Sequence, residues 1–448
     1  MGKHGRLWIA VVVALALRLL FFWVAYTHNQ GFFVQPDTPS YVVPALNMLK
    51  HHSFSEGIYP DIRPEIVRTP GYPLFLAAVF FLFGTRIAYI LIVQIVISLL
   101  IVFMVYKIAS LIGEEDAGFW ASLIAALNPS LIISANKILT GTLYAVLLLL
   151  GLYFVIVFVH RKGSFPLLLF GFLVLSLAAF VRPIGMYLGI VLAVVLFFWM
   201  LKVKFGFKRS ILYVASMLLI FLLPIFFWSY RNYTLTGFRG FSAIQPWNLL
   251  NFEAASALAL RNGSVRREEA KRLMNEVLRK SRGKSFGEVY NVMQGEAMKV
   301  ILANKWYFTI MQLKGIAAVW ASTRAGDLFV AMGGFGMYPD FGKYFYNMGI
   351  REFISFMWKN YKEILLLHFV MLVFYLIEYL FSLFGLVSRK WSISVVVIVL
   401  TIVYLSLLSG GSAGTARFKI QIEPLISVLA GVGIVAWKQR KSGIFQEG

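Results

Sequence analysis

The chain has 448 residues, of which 60% are hydrophobic and only 14% charged. A soluble domain is about half apolar and a quarter charged, so this composition excludes an ordinary soluble fold and points to an integral membrane protein. The formal net charge of +22 does not make it a nucleic-acid binder, because the basic residues cluster between apolar runs, the pattern that orients membrane helices. No cysteine occurs, which removes disulfides and thiolate metal sites.

The apolar runs are long enough for helices crossing a ~30 Å hydrocarbon core, and they lack the period-two alternation of an outer-membrane barrel. The expected fold is therefore all-α, a bundle of about ten transmembrane helices with juxtamembrane helices on its outer face. Leu7–Tyr26 is the first span, preceded by Lys3 and Arg6. It is longer than a signal-peptide core and no small-residue cleavage site follows, so it is read as an uncleaved anchor with a cytoplasmic N-terminus. The loop that follows, 27–73, then lies outside. Ser40–Lys50 within it and Leu74–Phe83 after it read as helices lying in the interface.

The further spans are Arg86–Ile108, Gly118–Ile133, Leu139–Val159, Phe165–Val181, Ile184–Leu201, Ile211–Trp228, Ile364–Val387, Ser392–Leu408 and Pro424–Trp437. Alternation puts Lys107, Arg161–Lys162, Lys202–Arg209, Arg389–Lys390 and Lys438–Lys441 in the cytoplasm, and each of these sites is basic. The expectation is a multi-pass protein of the inner (plasma) membrane, both termini cytoplasmic and the working face extracytoplasmic. It divides into an N-terminal membrane module (1–229), an extracytoplasmic helical region (230–362) and C-terminal membrane helices (363–448).

In the middle region, Val265–Lys280 and Phe286–Ala303 have amphipathic periodicity, with breaks expected at Gly283 and Gly287. Lys305–Thr323 is apolar enough to lie on the membrane, and a crossing pair here would leave the downstream topology unchanged. Gly333–Gly336, with Tyr338 and Pro339, lacks the flanking strand and helix of a phosphate-cradling glycine loop.

The informative charges are those that positive-inside orientation leaves on the wrong side. Arg63, Arg68, Arg182, Arg231, Arg239, Arg417 and Lys419 fall at the outer ends of spans. Singly, each reads as a headgroup anchor; together they suggest a wall for an anionic group, since the arginine fork suits phosphate oxygens. Arg18 and Glu378 lie within spans, where a structural ion pair or snorkelling is expected. Asp37, in Q-P-D-T-P-S-Y just beyond the first span, is a carboxylate held near the membrane surface, as a general base must be; read blandly, it is a turn residue. His51 and His52 are adjacent and would not chelate together, so they read as solvated surface. No recurrent metal-ligand spacing appears in the outer segments, and a divalent metal stays a possibility without a named site.

The order of short motifs resembles the polyprenyl-phosphate-sugar-dependent GT-C glycosyltransferases of the protein mannosyltransferase and aminoarabinose transferase type. The stretches that carry it are A-L-A-L-R-L-L-F-F (14–22), P-D-T-P-S-Y-V-V-P-A-L-N (36–47), R-T-P-G-Y-P-L-F-L-A (68–77) and L-N-P-S (127–130). They continue with V-R-P-I-G (181–185), S-Y-R-N-Y (229–233), N-L (248–249), the helix Glu296–Trp320 and A-R-F-K-I-Q-I-E-P (416–424). The resemblance implies an inverting transfer from a polyprenyl-phosphate-linked sugar to an acceptor hydroxyl on a lipid, glycan or protein, on the outer face. Asp37 would be the general base. Arg68, Arg182, Arg231 and Arg417 would hold the departing phosphate, and Tyr41, Tyr72, Asp61, Glu65 and Asn248 would line the substrate pocket.

One departure stands out: in I-L-T-G-T-L-Y, Gly141 occupies a position where the resemblance implies an acid. Glu56, Asp61 and Glu65 are the candidate substitutes, and the loss leaves an inactive relative open as an alternative. A lipid-linked saccharide transporter is the other, although no internal repeat of the kind transporters carry is visible.

Overall fold

The computed structural model describes residues 3–161, 164–334, 350–388, 391–412, 414 and 416–442. Lys162, Arg389, Lys390, Gly336, Tyr338 and Pro339, singled out above, lie outside the described residues. In chain order the helices are α1 (Lys3–His28), α2 (Pro39–His51), α3 (Gly71–Phe83), α4 (Ile87–Leu127), α5 (Pro129–Ala135) and α6 (Gly141–Arg161). Then come α7 (Phe165–Val181), α8 (Leu188–Lys202), α9 (Phe207–Thr236), α10 (Ile244–Asn248), α11 (Ala255–Asn262) and α12 (Arg266–Lys280). The series continues with α13 (Phe286–Ala303), α14 (Lys305–Ala321), α15 (Ala325–Ala331), α16 (Ile350–Val387), α17 (Ile393–Ser409) and α18 (Glu423–Lys441). Among the described residues the strands are two short pieces, β1 (Ser55–Glu56) and β2 (Arg63–Pro64), paired antiparallel.

The predicted spans fall mainly on helices, with the span 118–133 divided between α4 and α5. Among the described residues six helices are long and apolar enough to cross a membrane, and α3, α7 and α17 are shorter apolar helices. The helix α4 is one of the six, but its backbone leaves helical geometry at Gly113 and Glu114, where φ at Glu114 is 72°. A Cβ on Gly118 would strike Ser110 and the Tyr106 carbonyl, so the chain doubles back there. The two spans expected at Arg86–Ile108 and Gly118–Ile133 thus form a hairpin. The second arm ends early, at Asn128, whose side chain caps α5 by accepting from Leu131 N–H, with Pro129 at the first helical position.

The core runs through α4, α6, α7, α16 and α18. α6 and α7 approach closely because Gly151 and Gly171 face each other, and a Cβ on Gly151 would overlap Leu175. Small residues at such contacts let helix backbones pack where lipid offers no hydrophobic driving force. Arg18 is fully buried, yet it neither pairs with an acid nor snorkels. Its Nη1 donates to the carbonyls of Ala14 and Ala126. Glu378 accepts from Asn128 and Ser427, beside Glu423. Lys419, also buried, lies 3.4 Å from Glu423 and over the Tyr375 ring.

The middle region of the chain is joined to this bundle by continuous helices, since α9 runs on to Thr236 and α16 begins at Ile350. Its own small core gathers Leu250, Leu273, Val277, Met293 and Ile301. Gly283 does interrupt the chain, at φ 77°, but Gly287 does not. It lies in the first turn of α13, behind a Ser285–Glu288 capping box, and packs on Thr236. α14 lies against α17 and the turn at Ala416–Gln421, and is not among the long apolar helices.

Candidate active site at one end of the bundle

Phe32 and Phe33, buried against Phe21 and Phe22, anchor the chain as it leaves α1. Thr38 then fixes the turn, its hydroxyl accepting from Gln35 N–H and donating to the Ile138 carbonyl. Asp37 is left one residue before the N-cap of α2, where the helix dipole favours a carboxylate. Ser40 bonds back to the Asp37 carbonyl at 2.6 Å, which holds the turn rigid.

Two arginines meet this carboxylate. Arg68 Nη2 lies 3.1 Å from Oδ1 and Arg417 Nη1 2.6 Å from Oδ2. Arg68 spends its other donors on Ser40 Oγ at 2.9 Å and Tyr41 OH at 3.1 Å. Partial burial works against the charged form of Asp37, but the Arg417 and Arg68 charges and hydrogen bonds outweigh it and hold its pKa below the usual carboxylate range.

Arg68 is aimed by a relay of loop contacts. Glu65, buried, accepts from the N–H groups of Val67 (2.6 Å) and Arg68 (2.8 Å). Arg231 donates to the Glu65 carbonyl at 2.7 Å and the Phe54 carbonyl at 3.1 Å. Burial, the largest influence on Glu65, raises its pKa to about 7 against the pull of those amides.

Asp37, Arg68, Arg182, Arg417, Tyr41 and Asn248 all line one cavity of about 570 Å³. Arg182 donates to Gln421 Oε1 at 3.2 Å and lies over Phe418, and burial draws its pKa down to about 10. The other expected site residues are elsewhere. Arg231 and Glu65 stand behind the loop rather than in the cavity, and Asp61 is exposed on the surface. Tyr72 is buried beneath Tyr41, its hydroxyl bonded to Gln94 at 3.0 Å. His51 is exposed and stacks on Tyr59.

Four residues that sequence reasoning passed over line the same cavity: Lys137, Arg324, Glu253 and Gln312. Lys137 and Arg324 share Asp327, at 2.5 Å and 2.7 Å; burial lowers Lys137 to about 8 despite that partner. Lys137 lies between two predicted spans, the same signal that found Arg68 and Arg417, whereas Arg324 follows α14 and carries no such signal. Glu253 is raised to about 7 by burial. With five basic side chains against two carboxylates, the cavity suits an anion.

Gly141 also lines it, but a Cβ there would sit 2.9 Å from Ile420 Cγ2, so an acid at 141 needs Ile420 to move. Glu56 is bound to Arg63 away from the cavity, so none of the three expected substitutes reaches it. Among the described residues no group of three or more His, Cys, Asp or Glu could hold a metal ion. Asp37 has both oxygens on arginines, so its carboxylate is already engaged.

No protein-family model and no curated protein sequence matches the chain. Solved structures do. The oligosaccharyltransferase AglB of Archaeoglobus fulgidus, in complex with an inhibitory peptide and a dolichol-phosphate, matches with TM-score 0.58 and 14% identity, over 100% of this chain and 52% of that one. The same enzyme with Zn and sulfate matches with TM-score 0.54 and 13% identity, over 98% and 50%. ArnT of Cupriavidus metallidurans, bound to undecaprenyl phosphate, superposes more loosely, with TM-score 0.40 and 15% identity over 99% and 79%. The chain spans about half the length of the oligosaccharyltransferase chains it matches. The two oligosaccharyltransferase likenesses show that the chain shares the fold of the matched half of those structures.

Proposed function

We propose that the protein is an inverting membrane glycosyltransferase. It moves a sugar from a polyprenyl-phosphate donor to an acceptor hydroxyl on the extracytoplasmic face. The observation that carries this reading is the Asp37 carboxylate gripped by Arg68 and Arg417 in a cavity rich in cations. The dolichol-phosphate named with AglB is the class of lipid phosphate that such a cavity would take.

In the reading, the donor phosphate competes for the arginine donors that Asp37 holds at rest. Charge on the phosphate oxygens grows as the sugar–oxygen bond breaks, and preorganised guanidinium groups stabilise it there. Arg68 and Arg417, drawn toward phosphate, release Asp37, whose basicity then rises. Asp37 takes the acceptor hydroxyl proton, the acceptor oxygen bonds to the anomeric carbon, and the bond to phosphate breaks on the opposite side. The sugar inverts, the proton rests on Asp37, and the polyprenyl phosphate leaves with the electron pair. Arg182 and Lys137 extend the positive wall, while Arg231 and Glu65 hold the loop that presents Arg68.

Asp37→Asn keeps the shape and removes the base. It is expected to lower transfer of radiolabelled sugar by about 10³-fold while still binding polyprenyl phosphate. Reconstitution in vesicles separates the reading from lipid transport: covalent transfer supports it, and movement of donor between leaflets without transfer would falsify it.

A further inference from the structure

The cavity holds a second polar group, apart from the Asp37 cluster. Glu253 Oε2 and Gln312 Oε1 are both buried, and neither has a hydrogen-bond partner among the described residues. Both side chains line the cavity, and both abut one loop. A Cβ on Gly411 would overlap the Glu253 carboxylate, and one on Gly410 would lie 3.1 Å from Gln312 Oε1. Two acceptors from two separate elements therefore flank Gly410–Gly411, which leaves them room by having no side chain.

The local backbone is built for this placement. Glu253 sits in a π-helical turn, Leu249–Ala254, an irregularity frequent at functional sites. Gly411 has φ 74°, which a residue with a side chain adopts only under strain. A Cβ on Gly315 would strike the Gly411 backbone, so α14 and the glycine loop meet in direct backbone contact. Phe308 lies one helical turn before Gln312, and Phe252 beside Glu253; both aromatics line the cavity too. Buried acceptors without donors are uncommon in folded proteins, and two that line one cavity side by side call for an explanation.

We propose that Glu253 and Gln312 form a saccharide subsite, accepting hydrogen bonds from hydroxyl or amino substituents of a sugar ring. The inference rests on the glycosyl-transfer reading and deepens it. It gives the same cavity a phosphate end at Arg68, Arg182 and Arg417, and a sugar-recognising end under α14. Sugar rings offer what this end lacks: several O–H donors, with C–H faces to lie on aromatic rings.

The sugar could belong to the donor or to the acceptor, and binding separates the two. The purified full chain is titrated with decaprenyl phosphate, with decaprenyl-phosphate-linked glucose, mannose, galactose and galactosamine, and with the matching methyl glycosides in saturating decaprenyl phosphate. In the wild type at least one sugar-bearing lipid binds about tenfold tighter than the bare lipid, or at least one methyl glycoside binds. In Glu253→Ala/Gln312→Ala that gain vanishes, as expected for two lost hydrogen bonds, and affinity for bare decaprenyl phosphate is unchanged. Loss in the lipid series assigns the subsite to the donor sugar, and loss in the glycoside series assigns it to the acceptor. A sugar-dependent gain that survives the double substitution overturns the subsite, as does its absence in the wild type. Failure of the underlying reading looks different: the wild type then binds none of the lipids.

Discussion

The two ends of the loop between α1 and α3 hold one buried or half-buried carboxylate each, and the two behave oppositely. Asp37 faces guanidinium groups across an open cavity, and its pKa is held down. Glu65 faces backbone amides in a closed loop, and burial, which leads its influences, carries it up to about 7. Both touch Arg68, one through its guanidinium and the other through its backbone N–H. The contrast teaches that a carboxylate's role is set by what its neighbours could give up. The arginines of Asp37 can be taken by an incoming phosphate, whereas the amides of Glu65 have no alternative partner.

The largest expected effect follows from that difference. Asp37→Asn should cost about 10³-fold in kcat, whereas Glu65→Gln, which keeps an acceptor for the two amides, should stay within about tenfold. Equal losses in a sugar-transfer assay would erase the distinction between the two carboxylates. Next come the arginines. Arg417→Ala should lower kcat/KM by about 10²-fold, the scale of a removed charge-stabilising donor. It also deprives Asp37 of its nearest counter-charge, so the carboxyl pKa rises and the acidic limb of the kcat/KM profile moves to higher pH. A loss of rate with an unmoved limb would separate Arg417 from Asp37. Arg68→Lys should fail nearly as badly as alanine, because a single ammonium cannot reach Ser40, Tyr41 and Asp37 at once.

Glu65 yields a stability prediction with a definite sign. Its folded pKa of about 7 lies above its ordinary value of 4.5, so the folded state binds the proton more tightly than the unfolded chain. The stability this gives is present below pH 4.5 and is lost as pH rises toward 7. Glu65→Gln removes that titration. The wild type should lose thermal stability relative to the variant between pH 5 and 8, on the order of 5 °C. Parallel melting curves across that range would remove the buried-acid account.

Composition and run length made the helical membrane character legible; Arg68, Arg182 and Arg417 stood out as basic residues against the positive-inside pattern, and Asp37 as an acid in a Pro-bounded turn, and the four line one cavity. What escaped has physical reasons. Arg231 carries the same signal as Arg68, yet it serves the loop from behind, because sequence gives the side of the membrane but not the direction a side chain takes. Glu253 lies in a stretch without periodicity, and only folding brings it to Gln312 and Gly411. The Asn128 break was hidden because apolar residues continue on both sides of it. For Arg18 the sequence suggests a structural ion pair or snorkelling, but backbone carbonyls accept from its Nη1 instead, partners that every sequence supplies and none advertises.

The smallest expected effect concerns the polar middle of the loop. Asp61 and His51 are as polar as the residues at its two ends, and Asp61 was a candidate for the missing acid opposite Gly141. Asp61 is exposed and absent from the cavity, and His51 is exposed against Tyr59. Surface substitutions away from caps and cores shift stability by only about 0.5 kcal/mol, and neither side chain reaches Asp37 or an arginine of the cavity. Asp61→Asn and His51→Ala should therefore leave kcat/KM within about twofold of wild type, an estimate from that same margin. A tenfold loss in Asp61→Asn would mean that the loop folds over the cavity during turnover and delivers Asp61 to the substrate, making the middle of the loop part of the chemistry.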